Sequence, residues 1–153
     1  MYNDTMIHKI YLAGLIDGEG YLALLPSRNS ALKVKSFEPV VKIGMTGIES
    51  KIIFDQLIKQ YGGHLETRNK LTSGGRIAYT YILKSKNKVA VLLDDIIDYL
   101  VIKQSQAKLL KEFCKLPSSH TRYATYDPQV VVRKEEIFNE LKTLKQPAAT
   151  CND

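Results

Sequence analysis

The segment that most constrains the fold is residues 12–20, which read Leu-Ala-Gly-Leu-Ile-Asp-Gly-Glu-Gly. It completes a longer stretch, Met6 to Asp17, whose apolar residues recur at the spacing of a broad helix face. Good N-cap residues precede this stretch, and Gly18 and Gly20 predict where the helix ends. A plain amphipathic helix explains the apolar residues, but it does not explain why acids and glycines alternate at the end.

Two hairpin patterns and further helices follow. Residues 21–25 form a short apolar strand pattern, and Lys33 to Ile43 alternate as a half-buried strand does. Pro39 cannot donate a ladder hydrogen bond, so we expect an edge or a bulge there. A second hairpin pattern surrounds a turn at residues 73–75. Helices are predicted over Ile48–Tyr61, Lys88–Leu100, Lys103–Leu116 and Val130–Lys145. The inward-facing residues of the first of these are predicted to be Ile52, Ile53, Leu57 and Ile58.

This order predicts an α+β fold, with an αββαββα core around a curved, mainly antiparallel four-stranded sheet and additional C-terminal helices. Helices should cover the apolar sheet face and leave the polar, partly basic face open. We expect one domain over residues 1–153, with a core over about 6–116, a loop and helix over 117–146 and a frayed tail over 147–153.

The composition favours a polyanion as partner. Lysine and arginine total 22 against 16 acids, a formal charge of +6. The only cysteines, Cys114 and Cys151, fit no metal-ligand spacing, which excludes a zinc-based DNA reader. No secretory signal or apolar stretch of membrane-spanning length is visible, so we expect a soluble intracellular protein without a membrane partner, in an organelle or a prokaryotic cytoplasm.

Leu12 through Asp17 match in order the first six letters of the LAGLIDADG motif, so the chain resembles the LAGLIDADG homing endonucleases. Residues 99–107 also resemble a segment of the intron-encoded, homodimeric branch. The resemblance implies that the motif helices of two subunits pack together, each ending in an acid that binds a divalent metal ion. The expected interface residues are Ile10, Ala13, Gly14 and Asp17, with Asp17 also supporting the helix end.

The resemblance also assigns the catalytic residues. Glu19 is the expected metal ligand, helped by the Gly18 carbonyl, and Mg²⁺ is the expected cofactor, with Mn²⁺ as substitute and Ca²⁺ binding without cleavage. Lys103 matches a lysine of the active-site pocket. The family often has a glutamine where this chain has Met45 and Thr46, of which we take Thr46, and an arginine where Lys51 follows Ser50.

The implied function is site-specific cleavage of both DNA strands, leaving short 3′ overhangs, in intron homing. One motif supplies one metal acid, so a homodimer on a long, pseudo-palindromic site is expected. Alternative functions are an RNA splicing maturase or a non-cleaving DNA-binding protein on the same fold. The polar sheet face could also be an ordinary solvated surface that binds no nucleic acid. The expected groove contacts from the open sheet face are Tyr21, Ala23, Leu25, Ser36, Glu38, Lys42, Arg68, Lys70, Arg76 and Thr80.

Overall fold

The computed structural model describes residues 7–27, 36–68, 74–118 and 127–145. Helices and pairs of strands follow one another in the expected order. A short 3₁₀ turn, Ile97–Tyr99, separates two of the later helices. The elements are α1 (Lys9–Glu19), β1 (Gly20–Pro26), β2 (Phe37–Thr46), α2 (Ile48–Tyr61), β3 (His64–Arg68), β4 (Ala78–Leu83), α3 (Lys86–Ile96), α4 (Gln104–Lys115) and α5 (Pro128–Leu144). The predicted α+β class and αββαββα core are confirmed.

The four strands form one antiparallel sheet in the order β1-β2-β4-β3. Pro39 lies in β2 opposite Leu24 of β1, whereas the pairing of β2 with β4 begins only at Val41. Pro39 therefore occupies a part of a central strand that has one neighbour, where its missing N–H leaves no ladder bond unmade. The expectation of a local edge at Pro39 is confirmed.

Alternate residues of the strands separate the two sheet faces. Leu22, Val41 and Tyr81 join the main core, together with Leu12 and Ile16 of α1. The opposite face, which we call the open face, carries the side chains of alternate positions in between: Tyr21, Ala23, Leu25, Glu38, Val40, Lys42, Thr80, Ile82, Glu66 and Arg68. The period of two that the sequence showed in both hairpins therefore separates the faces as predicted.

Helix α1 runs further than expected. It continues through Gly18 to Glu19, and Gly20 caps it by donating its N–H to the Ile16 carbonyl. A side chain at Gly20 would place its Cβ 2.6 Å from that carbonyl oxygen, so only glycine allows the helix to turn directly into β1. The prediction that Gly20 ends the helix is confirmed, whereas Gly18, which was also expected to end it, is accommodated within the last helical turn.

Helix α2 begins after Gly47 and ends before Gly62, both of which have positive φ angles, of 94° and 84°. Its buried side chains include Phe54 and Leu57. The prediction that Ile52 faces inward was wrong, because its side chain is 64% exposed. The apolar residues of this helix extend around more of its circumference than the core covers.

The remaining helices pack behind the sheet. Helix α5 lies against the first hairpin, where the rings of Phe37 and Phe138 stack with centroids 4.8 Å apart. Helix α3 ends at Ile96, earlier than the expected Leu100, which is buried beyond the 3₁₀ turn. Within the described ranges, every helix is too short or too polar to span a lipid bilayer.

Candidate functional site

The C-terminal end of α1 is locked to the start of α4 by two side chains. The Asp17 carboxylate accepts backbone hydrogen bonds from Val101 (2.8 Å), Ile102 (3.2 Å) and Lys103 (2.9 Å). In return, the Lys103 ammonium donates to the carbonyls of Ile16 (2.8 Å) and Asp17 (2.9 Å). A cation at a helix C-terminus is favourable because the last carbonyls carry partial negative charge. The position of the helix end is thus fixed from both directions.

The lock shifts the pKa of both side chains. Burial alone would raise the pKa of the Asp17 carboxyl, but the three backbone hydrogen bonds and the Lys103 charge outweigh it and hold that pKa below its ordinary value of 3.8. Burial lowers the pKa of Lys103, and the negative charges of Asp17 and Glu19 oppose the shift. Lys103 is therefore close enough to Glu19 to sense its charge.

Asp17→Asn is expected to lower the free energy of unfolding by about 2 kcal/mol. A hydrogen bond to a charged acceptor contributes roughly 1.5–3 kcal/mol, and the total loss stays near this range because the Asp17 carboxylate is partly solvated. The melting temperature should fall by about 5 °C. Because the folded-state pKa of Asp17 is depressed, its contribution is present above pH 3.8 and is lost as pH falls through the lower folded value.

Thermal unfolding of wild type and variant between pH 3 and pH 7 measures this difference. Asp98→Asn is the matched control, because Asp98 is an exposed acid in the adjacent 3₁₀ turn. Equal stability of wild type and Asp17→Asn at pH 7 would show that the charge of Asp17 contributes nothing to stability.

Glu19 is the last residue of α1, and its side chain is exposed beside the open face. No described residue forms a hydrogen bond or an ion pair with its carboxylate. It lines a cleft with residues from β2, β3 and β4, including Thr46, Arg68 and Thr80. The structure thus gathers the expected metal acid, the expected outer-pocket residue and two expected DNA contacts in one place. Met45 lines the same cleft, so the choice between Met45 and Thr46 stays a prediction.

The donors at this helix end fit a hard divalent cation that keeps several waters. The Glu19 carboxylate is an oxygen ligand, and the negative end of the helix dipole also favours a cation. Gly18 is exposed beside it. In the described ranges, no cluster of three or more histidine, cysteine or acidic side chains could hold a metal ion within one chain. The site therefore fits magnesium only if further ligands come from outside the chain.

The open face carries several of the expected DNA contacts at exposed or half-exposed positions. Tyr21 lies directly opposite Lys42 across the β1–β2 pair, and Thr80 lies opposite Glu66 across the β3–β4 pair. Arg68 is exposed at the end of β3. Glu38 is exposed as well and lies 3.8 Å from the Lys84 ammonium. Arg76, exposed just before β4, and the half-buried Leu25 complete this set.

Two of the expected contacts are corrected, and a third lies outside the described residues. Ala23 is 2% exposed, because it packs with Val40 and Ile82 in a small apolar cluster on the open face. Ser36 is 7% exposed and precedes β2, where its carbonyl accepts a hydrogen bond from the Ser27 N–H. Neither side chain is available to a DNA groove. Lys70 falls outside the ranges that the structure describes.

The expected interface residues divide between two faces of α1. Ile10 is 57% exposed. Gly14 is exposed, and outside its own helix no described atom lies within 4 Å of where a Cβ would lie. Ala13 is fully buried against this chain's own core, so assigning it to an interface was wrong. Residues four positions apart lie on the same face of a helix. Ile10 and Gly14 therefore share the outer face of α1, whereas Ala13 faces the core. The Asp17 carboxylate is engaged within its own chain.

An apolar surface that sequence reasoning missed continues from α1 onto the segment before α4. The exposed fractions are 52% for Tyr11, 48% for Tyr99, 84% for Val101 and 74% for Ile102. Exposed apolar patches of this kind mark contact surfaces. The run Tyr-Leu-Val-Ile in the sequence was the available signal, but it resembled the end of a buried helix.

Lys51 lies in the first half of α2, where its ammonium donates to Asp55 at 2.9 Å. That hydrogen bond, followed by the Asp55 charge, raises the pKa of Lys51, and the nearby Tyr79 adds slightly. Tyr79 itself lines the cleft of Glu19. Lys51 is therefore near the cleft but paired on the helix surface, and its catalytic role stays a prediction.

The geometry of these elements matches solved structures closely. The homing endonuclease I-CvuI, solved with its target in the presence of calcium, superposes with a TM-score of 0.72 at 21% identity, over 92% of this chain and 83% of that one. An archaeal intron-encoded homing endonuclease, I-Vdi141I, complexed with DNA, gives a TM-score of 0.69 at 15% identity, over 95% and 88%. The LAGLIDADG homing endonuclease I-LtrWI, bound to target DNA, gives 0.66 at 20% identity, over 95% and 47%.

The chain has the fold of a LAGLIDADG homing endonuclease. No protein-family model matches its sequence, and no curated protein does either. The resemblance noted in the motif is thus confirmed at the level of the fold. In this LAGLIDADG fold, the motif residues 12–20 form the last turns of α1 and the first residue of β1.

Proposed function

We propose that the chain is a site-specific endonuclease that hydrolyses both strands of double-stranded DNA, as a homodimer with a divalent metal ion. The observation that carries this proposal is the exposed Glu19 carboxylate at the end of α1, in a cleft that opens onto the sheet face. The solved neighbours in complex with DNA support the assignment of that face to nucleic acid.

The open face would lie in the major groove, where a curved sheet can reach base edges. Lys42, Arg68 and Thr80 are half-exposed or exposed there, and Tyr21 offers an apolar contact. A bidentate arginine contact to guanine would discriminate by roughly 1–3 kcal/mol. Arg76 and Glu38 would add contacts along the same surface. Lys70, which lies outside the described residues, stays an expected contact.

Four side chains and one backbone carbonyl of the chain would act at or near the phosphate. Glu19, with the Gly18 carbonyl, would hold Mg²⁺ or Mn²⁺, whereas Ca²⁺ would bind without supporting cleavage. Bound magnesium would supply Lewis-acid catalysis and favour hydroxide as nucleophile. Lys103, held by two carbonyls, keeps a positive charge beside Glu19 that can stabilise charge on the phosphate. Thr46 can orient a water molecule, and Lys51 adds positive charge outside the cleft.

Two copies of the chain would complete the enzyme. One chain supplies a single candidate metal acid, and cutting two strands requires two sites. This chain covers only 47% of I-LtrWI, the length expected if two copies do the work of one such chain. The outer face of α1, with Ile10 and Gly14, is the surface that we assign to the twin subunit. Twofold symmetry then implies a pseudo-palindromic DNA site, cut with short 3′ overhangs.

Incubation of the purified protein with a randomised duplex library and magnesium tests the proposal. We expect cleaved molecules to share one pseudo-palindromic sequence and to carry short 3′ overhangs when their ends are sequenced. A parallel incubation with a metal chelator should leave the library intact. Absence of any sequence enrichment among ends generated with magnesium would contradict the proposed activity.

A further inference from the structure

A second cleft lies at the other end of the sheet from Glu19, and nothing in the proposed mechanism uses it. It is lined by Lys84, Lys86 and Lys134, by the ring of Phe113, and by residues at the end of β1 and the start of β2. We call it the lysine cleft. Lys84 follows β4, Lys86 begins α3, and Lys134 comes from α5, so three separate parts of the fold place ammonium groups around one space.

Of these lysines, Lys134 is buried and Lys86 is half-buried. Lys134 is 7% exposed, and its ammonium donates to the Pro117 carbonyl at 2.6 Å. The Lys86 ammonium donates to the Leu116 carbonyl. Both ammonium groups also lie over the Phe113 ring, 5.7 and 5.8 Å from its centroid. Within the described ranges, no carboxylate lies within ion-pair distance of either. Both ammonium groups contact backbone carbonyls and the Phe113 ring, and these uncharged neighbours do not neutralise their positive charge.

The lysine cleft therefore carries excess positive charge. Among the described residues, Glu38 is the only acid lining it, and this carboxylate is 3.8 Å from Lys84. Three cations against one anion leave two positive charges in a partly desolvated space. Burial lowers the pKa of Lys86 and of Lys134, and the charge of Lys86 lowers that of Lys134 further. One cation is enough to interact with the last carbonyls of α4. A second ammonium group beside it adds electrostatic repulsion between the two lysines.

The start of α3 opens into the same cleft. This helix has eleven residues, and its N-cap residue, Ser85, makes no side-chain hydrogen bond to the first turn. The first backbone N–H groups of a helix have no partner within the helix and carry partial positive charge. Anions such as phosphate bind at such positions, and lysine is a common phosphate-binding side chain. Independent features thus point to the same ligand chemistry.

We propose that the lysine cleft binds a phosphate group of the DNA backbone, outside the bases that flank the cut. The inference rests on the proposed function, because it takes the phosphate from DNA lying on the open face. Strand β1 leads from Glu19 to this cleft over seven residues. At about 3.3 Å per residue the separation is roughly 20 Å, which corresponds to about six nucleotides along one strand. The contact would position the outer half-site without reading its sequence.

Salt-dependent binding of Lys86→Met tests the inference, because the loss of one phosphate contact reduces the slope of log affinity against log salt by about one. Binding is measured with a metal chelator, so that the DNA stays intact. The probes are the duplex recovered from the library and a version shortened by several base pairs at each end. We expect the slope to fall on the long duplex and to stay unchanged on the short one. Lys84→Met should behave similarly, and Lys108→Met, an exposed lysine of α4 outside the cleft, should show only a general charge effect.

A second measurement separates the source of the phosphate and does not depend on DNA binding. If inorganic phosphate raises the melting temperature of wild type but not of Lys86→Met, while both bind DNA with equal slopes, the cleft takes free phosphate and the DNA assignment is overturned. Equal behaviour of Lys86→Met, Lys84→Met and Lys108→Met in both assays would overturn the site altogether. A wild-type protein that binds no duplex would instead contradict the proposed function, and the phosphate assay would still test the cleft.

Discussion

Glu19→Gln is expected to abolish DNA cleavage while leaving DNA binding largely intact. Glutamine has the shape of glutamate but lacks the charge that a divalent cation requires of its ligand. Metal-ion catalysis contributes several kcal/mol to transition-state stabilisation, so the cleavage rate should fall by about a thousandfold or more. Because the carboxylate has no hydrogen bond or ion pair with a described residue, its replacement should leave the melting temperature within about 1 °C of wild type. Cleavage of the recovered target with magnesium, and binding by gel shift, measure the two effects separately.

Glu135→Gln is the matched control, because Glu135 is an exposed acid of α5, and no described residue of α5 lines the Glu19 cleft. It should cut at the wild-type rate. Cleavage by Glu19→Gln at the same rate would show that this carboxylate does not hold the metal ion. Loss of binding in parallel with cleavage would also count against the assignment, since it would indicate a role in DNA affinity instead.

Gly14→Leu is expected to convert the protein to a monomer of 17.3 kDa that no longer makes double-strand breaks. Apart from the backbone of its own helix and its two chain neighbours, no atom of the described residues lies within 4 Å of where the new Cβ would be. Replacing a glycine inside an exposed helix should even stabilise the monomer, by roughly 0.5–1 kcal/mol. At a close helix pair, the added side chains would cost about 3 kcal/mol or more, which weakens dimerisation by at least about a hundredfold.

Light scattering gives the mass of the particle, and thermal unfolding gives the stability of the single chain. Gly74→Leu is the control, because its Cβ position also has no described atom within 4 Å other than those of its chain neighbours, and the residue has no positive φ angle. Gly74 lies between β3 and β4, away from α1 in the sequence. It should keep a mass of about twice that of the chain. A dimeric Gly14→Leu protein would place the subunit interface elsewhere.

The sequence predicted the elements well because most of the signals are local. Periodicity defines helices and strands without reference to the rest of the fold, and Gly62 and Gly63 mark the end of α2 in the sequence. Boundaries were less well predicted. Helix α1 continues through Gly18 because the stop depends on how closely Gly20 approaches the Ile16 carbonyl, and that distance is set by the entry into β1.

The alternation of polar and apolar residues alone could not predict which side chains of the open face are exposed. The pattern placed Ala23 on the correct side of the sheet, but its burial comes from Val40 and Ile82, which belong to two other strands. Contacts between distant strands are invisible to a local pattern. The same holds for Ile52, whose exposure depends on which part of α2 the core covers.

The lock between Asp17 and Lys103 joins residues 86 positions apart. The resemblance to known endonucleases identified both residues, and composition and spacing alone would have left Lys103 an ordinary surface lysine. Neither approach predicted that the Lys103 ammonium would bind the carbonyls of α1, since those acceptors are backbone atoms that any sequence provides.

The hydrogen bonds of Asp17 have a consequence for how assembly and chemistry depend on each other. They tie the helix end that carries Glu19 to Val101 and Ile102, whose side chains are largely exposed. Because these bonds lie within one chain, a single subunit already holds the helix end that carries Glu19 in place before any partner binds. A twin subunit that covers Val101 and Ile102, as proposed, would therefore meet a preformed helix end, and pairing would add a second carboxylate without remodelling the first.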